Sequence, residues 1–331
     1  MIPARQKFLS AFIPGFILSA LWAWSQQPAP APADAANESG SANTWIALGI
    51  ANGKKGDWDK ALSAFDQALQ IDPKSAAAYE NRGIVFSHQQ KMDAAIADFD
   101  KALELNPKIW DAYYRRGTIK GQKGDFDGAI ADFDHALELN PNDALAYYNR
   151  GHAKYFKGDL DGALSDINHA INLNPDDPYS HFIRGLIHRA QGDAENAAVD
   201  FQKSANDGYL DGALWLWIVK SENGKRGVAR ENLSFYLGRA EQAREEGWPA
   251  PIADFFLEKS TQDELMAAIP KGAAGKNELC EAWFYSGIVK HFTGDNAGAL
   301  KCYQQAIATG AIAEEEMVEA HREITKLQAL Q

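Results

Sequence analysis

Eight histidines, two cysteines and 45 acidic residues are the groups in this 331-residue chain that could hold a metal, attack a substrate or move a proton. Their spacing does not assemble them. There is no His-Glu-x-x-His, no Gly-x-Ser-x-Gly, no phosphate-binding loop and no paired-cysteine zinc signature. His181 and His188 stand two helical turns apart without a third ligand, so packing is their expected role and no metal is expected. The repeated Gly-Asp-x-Asp-Gly, at Gly124 to Gly128 and Gly158 to Gly162, has the look of a calcium loop but lacks the bidentate Glu that closes one. The expectation is a protein that is not an enzyme and needs no cofactor. The catalytic alternative is an unrecognised site between Trp215 and Lys276.

One charged constellation does recur. Arg82, Arg116, Arg150 and Arg184 are each followed at sixteen residues by an acid, Asp98, Asp132, Asp166 and Asp200. A planar guanidinium fork suits a partly buried carboxylate because it binds both oxygens. Where the Arg is missing the Asp is missing too, since Leu48 is matched by Ala64. The pairs read as a structural ion-pair ladder, and they draw attention to the frame that spaces them.

That frame is a 34-residue unit, copied from Ala76, Trp110 and Ala144. Each copy carries Tyr at position four (Tyr79, Tyr113, Tyr147), Arg-Gly at seven and eight, Ala at twenty and twenty-seven, and Asn-Pro at thirty-one and thirty-two. Extending the phase adds a unit from Ala42 before them and one from Pro178 to about Asp207 after them. Gly-Asp near position fifteen ends one helix and starts the next, and Asn-Pro ends the second. Small residues at eight, twenty and twenty-seven let the helices approach, with an aromatic at twenty-four between them. This spacing resembles the tetratricopeptide repeat, which implies an all-α helical solenoid.

In that fold the first helices line a concave face. The resemblance puts Tyr114, Tyr148, His152, Tyr155, Phe156, Tyr179, Phe182, Leu186 and Arg189 on it as a partner-binding groove, with burial against the protein's own segments as the other reading. The Lys and Asn that clamp a peptide's terminal carboxylate in some relatives are replaced by Ile46, Ile50 and Ile84, which argues against chaperone-tail binding.

Composition sets the outer limits. A net charge of −12 argues against nucleic acid, whose binding rests on Lys and Arg against phosphate. Arg5 and Lys7, then an apolar run from Phe8 to Trp24 broken by Pro14-Gly15, read as a signal peptide over residues 1–25. An N-terminal membrane anchor facing the periplasm is the alternative. A Pro/Ala-rich linker covers 26–41, five repeats 42–207 and a degenerate helical connecting segment 208–276. An isolated repeat with a capping helix fills 277–331. Helices are expected from Trp215 to Glu222, Arg230 to Glu245, Ile252 to Glu258 and Thr261 to Ala268, the last opened by a Thr261–Glu264 capping box. The capping helix, from about Ala313, should pack its Met317, Ala320, Ile324, Leu327 and Leu330 side on the array. Cys280 and Cys302 occupy positions one and twenty-three of the isolated repeat, which leaves two readings open. One is a disulfide adding about 3 kcal/mol; the other is a pair of buried thiols.

The C-terminal half narrows the comparison. Trp248-Pro249-x-Pro251-Ile252, Phe255-Phe256-Leu257, Glu264-Leu265 and Cys280-Glu281-x-x-Phe284-Tyr285-x-Gly287 resemble the NlpI family of cell-envelope lipoproteins. The resemblance implies a non-catalytic periplasmic adaptor, a homodimer, that scaffolds peptidoglycan hydrolases or an envelope protease. No Cys precedes Cys280, so that family's lipid-attachment Cys has no counterpart here. A secretion, pilus or polysaccharide assembly subunit uses the same repeats and is the alternative.

Overall fold

A computed structural model of the chain describes residues 40–242, 249–269, 275–311 and 315–329. These contain 17 α-helices and no strand. The expected signal peptide and all but the end of the linker lie outside the described residues. No described helix is long and apolar enough to cross a membrane. The contacts divide the chain after Arg150 into two units.

The first unit holds three helical hairpins: α1 (Ala42–Lys54) with α2 (Trp58–Ile71), α3 (Ala76–His88) with α4 (Met92–Leu105), and α5 (Trp110–Gln122) with α6 (Phe126–Leu139). It also includes the first turns of α7 (Ala144–Lys157). Ser41, Ser75 and Asp125 cap helix starts by accepting from the backbone N–H of Thr44, Ala78 and Gly128. Gly124 makes its hairpin turn at φ +81°, the left-handed conformation glycine adopts at no steric cost. The second hairpin has Gln90 at the equivalent place, and it takes φ +60°. Second helices stop where Asp72, Asn106 and Asn140 leave helical geometry before proline. The core is the seam inside each hairpin, where Phe65, Phe99 and Phe133 are wholly buried. The seam needs a small partner, since a Cβ on Gly49 would stand 2.5 Å from Phe65.

The second unit continues with the rest of α7, α8 (Leu160–Leu173), α9 (Pro178–Ala190) and α10 (Ala194–Asn206). Next comes α11 (Leu210–Glu222) with α12 (Arg226–Gln242), one more hairpin of the same form, turning at Gly224 with φ +73°. Its first helix begins at Leu210 rather than at Trp215. With no Asn-Pro after α10, the chain turns through Gly208 at φ +95° and re-enters helix at once. Short helices α13 (Ala250–Phe256) and α14 (Gln262–Ala267) come next, the latter opened by the reciprocal Thr261–Glu264 capping box. The hairpin α15 (Lys276–Phe292) and α16 (Asn296–Ala308) and the final helix α17 (Glu315–Ala329) complete it.

An aromatic seam ties these helices together. Trp215 stacks on Phe201 at 5.9 Å and on Phe284 at 5.6 Å, Phe284 meets Tyr303 at 5.9 Å, and Trp217 stacks on Phe256 at 4.3 Å. Each fully buried aromatic contributes roughly 1.5–3 kcal/mol over an exposed one. The seam converts the segment after the main repeats into a continuation of the stack.

The final helix packs on α15 and α16, but with a different side from the one its apolar pattern suggests. Its buried residues are Glu316, Glu319, Ala320, Glu323 and Leu327, whereas Met317 and Ile324 are only half-buried. Three of the five are carboxylic acids, received by side chains of the repeats.

Candidate functional site

The arginine ladder sits at the hairpin seams. Arg82 donates Nε and Nη2 to the two oxygens of Asp98 at 2.7 and 2.8 Å, and Arg116 does the same to Asp132 at 2.9 and 2.6 Å. In the second unit Arg184 grips Asp200 at 2.8 and 2.7 Å. Arg150 and Asp166 fall on opposite sides of the division. Within its own unit Arg150 bonds Asp134 at 2.6 Å, and Asp166 receives Lys154 at 2.7 Å. The third nitrogen reaches the other way along the array. Arg82 Nη1 bonds Asp66 and Arg116 Nη1 bonds Asp100, both of the preceding repeat, at 2.7 and 2.6 Å. Asn168 accepts from Arg184 in the same manner at 2.9 Å. The pairing therefore joins helices within a repeat and repeats to one another. The second partner is readable in the sequence as the acid or amide sixteen residues before each Arg.

His181 and His188 both face this ladder. His181 Nδ1 lies 3.2 Å from Asp200, and His188 Nε2 stands 3.8 Å from it. Hydrogen bonding to Asp200 raises the pKa of His181. Among the described residues, no group of three or more His, Cys, Asp or Glu could hold a metal. Cys280 and Cys302 are both buried thiols with no disulfide between them, and burial pushes the Cys302 thiol up.

The proposed groove residues are mostly covered. In the first unit Tyr114 and Tyr148 are 3% and 7% exposed, and Tyr114 accepts from Asn149 at 3.2 Å. Beside them Arg115 is buried and bonds Asp111 at 2.6 Å. Burial, with Asp111 adding to it and Arg115 opposing, pushes Glu80 up to about 8. In the second unit Tyr179 and Phe182 meet Tyr209 edge-on at 4.8 and 5.1 Å. Leu186 is fully buried, and Phe156 lies half-buried against His152 at 4.9 Å. An open aromatic strip is thus not what the inner face of residues 151–190 presents.

The covering element is α17. His152 Nε2 lies 2.8 Å from Glu315, Tyr285 donates to Glu316 at 2.9 Å, and Tyr155 donates to Glu319 at 2.6 Å. Arg189 donates to Glu319 at 2.6 Å and to Glu323 at 2.7 Å, and reaches Glu222 of α11 at 2.6 Å. Its guanidinium also lies 5.3 Å from the centre of the Trp215 ring. Arg322 of α17 closes back over Tyr155, bonding its hydroxyl at 2.9 Å and Glu319 as well.

The electrostatics derive from this burial. Desolvation works against the Glu323 carboxylate, but Arg189 and Lys326 outweigh it and hold its pKa below the usual range. Among the described residues, no cation bonds Glu316. Burial, then Glu315 and Asp211, push it up to about 8, in the direction of the protonated acid. Burial and Glu319 together drive the Tyr155 phenol well above its ordinary value, so it stays a donor. The arrangement binds carboxylates; it places no nucleophile beside a base.

The carboxylate side of this site is missed when α17 is read for its apolar stripe. The signal is the acid spacing Glu315, Glu316, Glu319 and Glu323, which runs along one helical face.

The comparisons with known proteins agree with this architecture. A tetratricopeptide-repeat family model matches residues 46–109 and 148–209, and a second repeat model matches 119–158. No curated protein matches significantly. Among solved structures, PilW, described as a widely conserved type IV pilus biogenesis factor, is 20% identical with a TM-score of 0.54. That likeness covers 68% of this chain and 99% of PilW. PilF of Pseudomonas aeruginosa is 17% identical with a TM-score of 0.53, covering 66% and 95%. YrrB, described as having an unusual peptide-binding site, is 25% identical with a TM-score of 0.47, covering 50% and 86%. The period, the hairpins and the two family models identify residues 46–109 and 119–209 as tetratricopeptide repeats, a helical scaffold for protein–protein interaction.

Proposed function

We propose that this protein is a non-catalytic adaptor of the bacterial periplasm that docks a protein partner on the inner face of its repeats. The observation that carries the reading is the seat of α17. Side chains from α7, α9 and α15 converge on one helix and hold it by directional bonds, which is how a repeat scaffold grips a peptide. The leader-like residues 1–25 support export, and the likeness of the C-terminal half to the NlpI family supports a peptidoglycan hydrolase or envelope protease as partner. Dimerisation belongs to the same likeness and is proposed with it.

A photo-crosslinker in place of exposed Lys157 or half-buried Phe156, in the full chain expressed in its host, tests this reading. The expected product is an adduct with a cell-wall hydrolase or envelope protease, recovered from the periplasmic fraction. Adducts only with cytoplasmic proteins refute the assignment. Pilus or secretion components as prey would establish the alternative of an assembly subunit, a reading to which PilW and PilF add likeness in fold alone.

A further inference from the structure

We infer that the inner face of residues 151–222, together with Tyr285 of α15, is a receptor for an acidic amphipathic helix, that α17 fills it in the isolated chain, and that a partner helix with the same carboxylate spacing displaces it. This rests on the reading of the repeats as an interaction scaffold and adds the chemistry of what they take.

The receptor side supplies donors, and the occupant supplies acceptors. Tyr155, Arg189 and Tyr285 point hydrogen-bond donors at one line, and His152 stands beside Glu315 at the head of it. The acids that meet them stand at i, i+1, i+4 and i+8 of one helix, Glu315, Glu316, Glu319 and Glu323. Arg189 decides the sign of the ligand. It is 8% exposed and finds only Glu222 on its own side, while its other two acids both come from α17. One buried guanidinium facing two carboxylates of an incoming helix is a charge-specific seat, since removing them leaves the cation with Glu222 alone.

The occupant is held by little else on that face. Of its five buried residues only Ala320 and Leu327 are apolar. Its helix–helix packing is on α15 and α16, whereas toward Tyr155 and Arg189 the contact is made of pairings that a helix of the same pattern reproduces. Released carboxylates regain hydration, which lowers the cost of exchange relative to an apolar seam of the same length. A competing helix with acids at the same spacing meets Arg189 and Tyr155 as α17 does, and its advantage comes from whatever contacts it adds beyond them.

The test uses the full chain and a fluorescein-labelled peptide of residues 315–329, followed by anisotropy. Two full-length variants loosen the resident helix without altering the receptor. Glu319→Gln with Glu323→Gln removes the acids that Arg189 holds. Arg322→Glu sets a like charge beside Glu319. Hydrogen exchange over 315–329 reports release of α17, and the melting curve reports whether the hairpins stay folded. The expected result is faster exchange in both variants and peptide binding at least tenfold tighter than to the wild-type chain. A peptide carrying Gln at the two acid positions should lose that gain, and so should the Gln variant when Arg189→Met is added. Equal affinity for wild type and a released variant, equal binding of the acidic and Gln peptides, or a helix that stays protected in both variants overturns the inference. A chain that crosslinks to an envelope protein yet ignores the peptide keeps the scaffold reading and loses this one; the opposite pair of results does the reverse.

Discussion

Replacing Asp132 by Ala tests how the repeats are locked. The residue is 2% exposed, and its carboxylate is met by three cationic nitrogens: Arg116 Nε at 2.9 Å, Arg116 Nη2 at 2.6 Å and Lys120 Nζ at 2.8 Å. Removing it leaves Arg116, whose side chain is 16% exposed, with a single acid, Asp100, which is itself 57% exposed. Breaking a buried pair by deleting one partner costs about 3–5 kcal/mol, because the other charge stays desolvated. Partial exposure of Arg116 and Lys120 lets water recover part of that, so about 3 kcal/mol is expected. The same arginine supplies its own control. Asp100→Ala removes one solvated bond and should cost under about 1 kcal/mol. Urea unfolding of the full chain, followed by hydrogen exchange over residues 40–150, separates local loss from global loss, as an array need not melt in one step. Asp132→Ala and Asp100→Ala costing the same, or Asp132→Ala costing less than about 0.5 kcal/mol, would refute the argument that burial sets the worth of the pair.

Two further predictions concern protons and space. Glu316 has its folded pKa raised from 4.5 to about 8, so the folded chain binds a proton there that the unfolded chain has released. Its contribution is complete below the unfolded value and is lost as pH rises through about 8, where the carboxylate would face Glu315, Asp211 and the Tyr285 hydroxyl. Glu316→Gln should match the wild type in unfolding free energy at pH 5 and exceed it at pH 9 by on the order of 2–4 kcal/mol, read by urea denaturation at each pH; a constant difference across that range removes the basis for the assignment. The two glycine substitutions should have opposite signs. A Cβ on Gly287 would stand 2.4 Å from Tyr303, so Gly287→Ala should destabilise by about 1–3 kcal/mol. Gly238 on α12 has open space, and Gly238→Ala should stabilise by roughly 0.5–1 kcal/mol. Chemical denaturation of the two proteins reads both signs, and a shared sign contradicts the packing argument.

Much of the scaffold is legible because a repeat states its own geometry. Asn106-Pro107 and Asn140-Pro141 end helices wherever they occur, since proline cannot donate the next bond. Gly124-Asp125 turns the chain and caps the second helix of its hairpin. The phase breaks after Asn206, and there the pattern says less. Without Asn-Pro the hairpin of α11 and α12 looks like a connector, and only the stacking of Trp215 between Phe201 and Phe284 shows it continuing the array.

By itself the sequence determined the period, the hairpins and the placement of Arg and Asp at sixteen residues. These depend on local spacing and on a repeat that brings like positions into register. Only the tertiary structure decided what Tyr155 and Arg189 touch. A helix carrying Glu316, Glu319 and Glu323 reads as solvated on that side, because burying three acids is unfavourable in isolation. Burial becomes tolerable once Arg189, Tyr155 and Tyr285 arrive from helices 130 and more residues away, or from a neighbouring hairpin, with donors for each carboxylate. No local pattern encodes that meeting, so the face that looked open to a partner is one the chain has already filled.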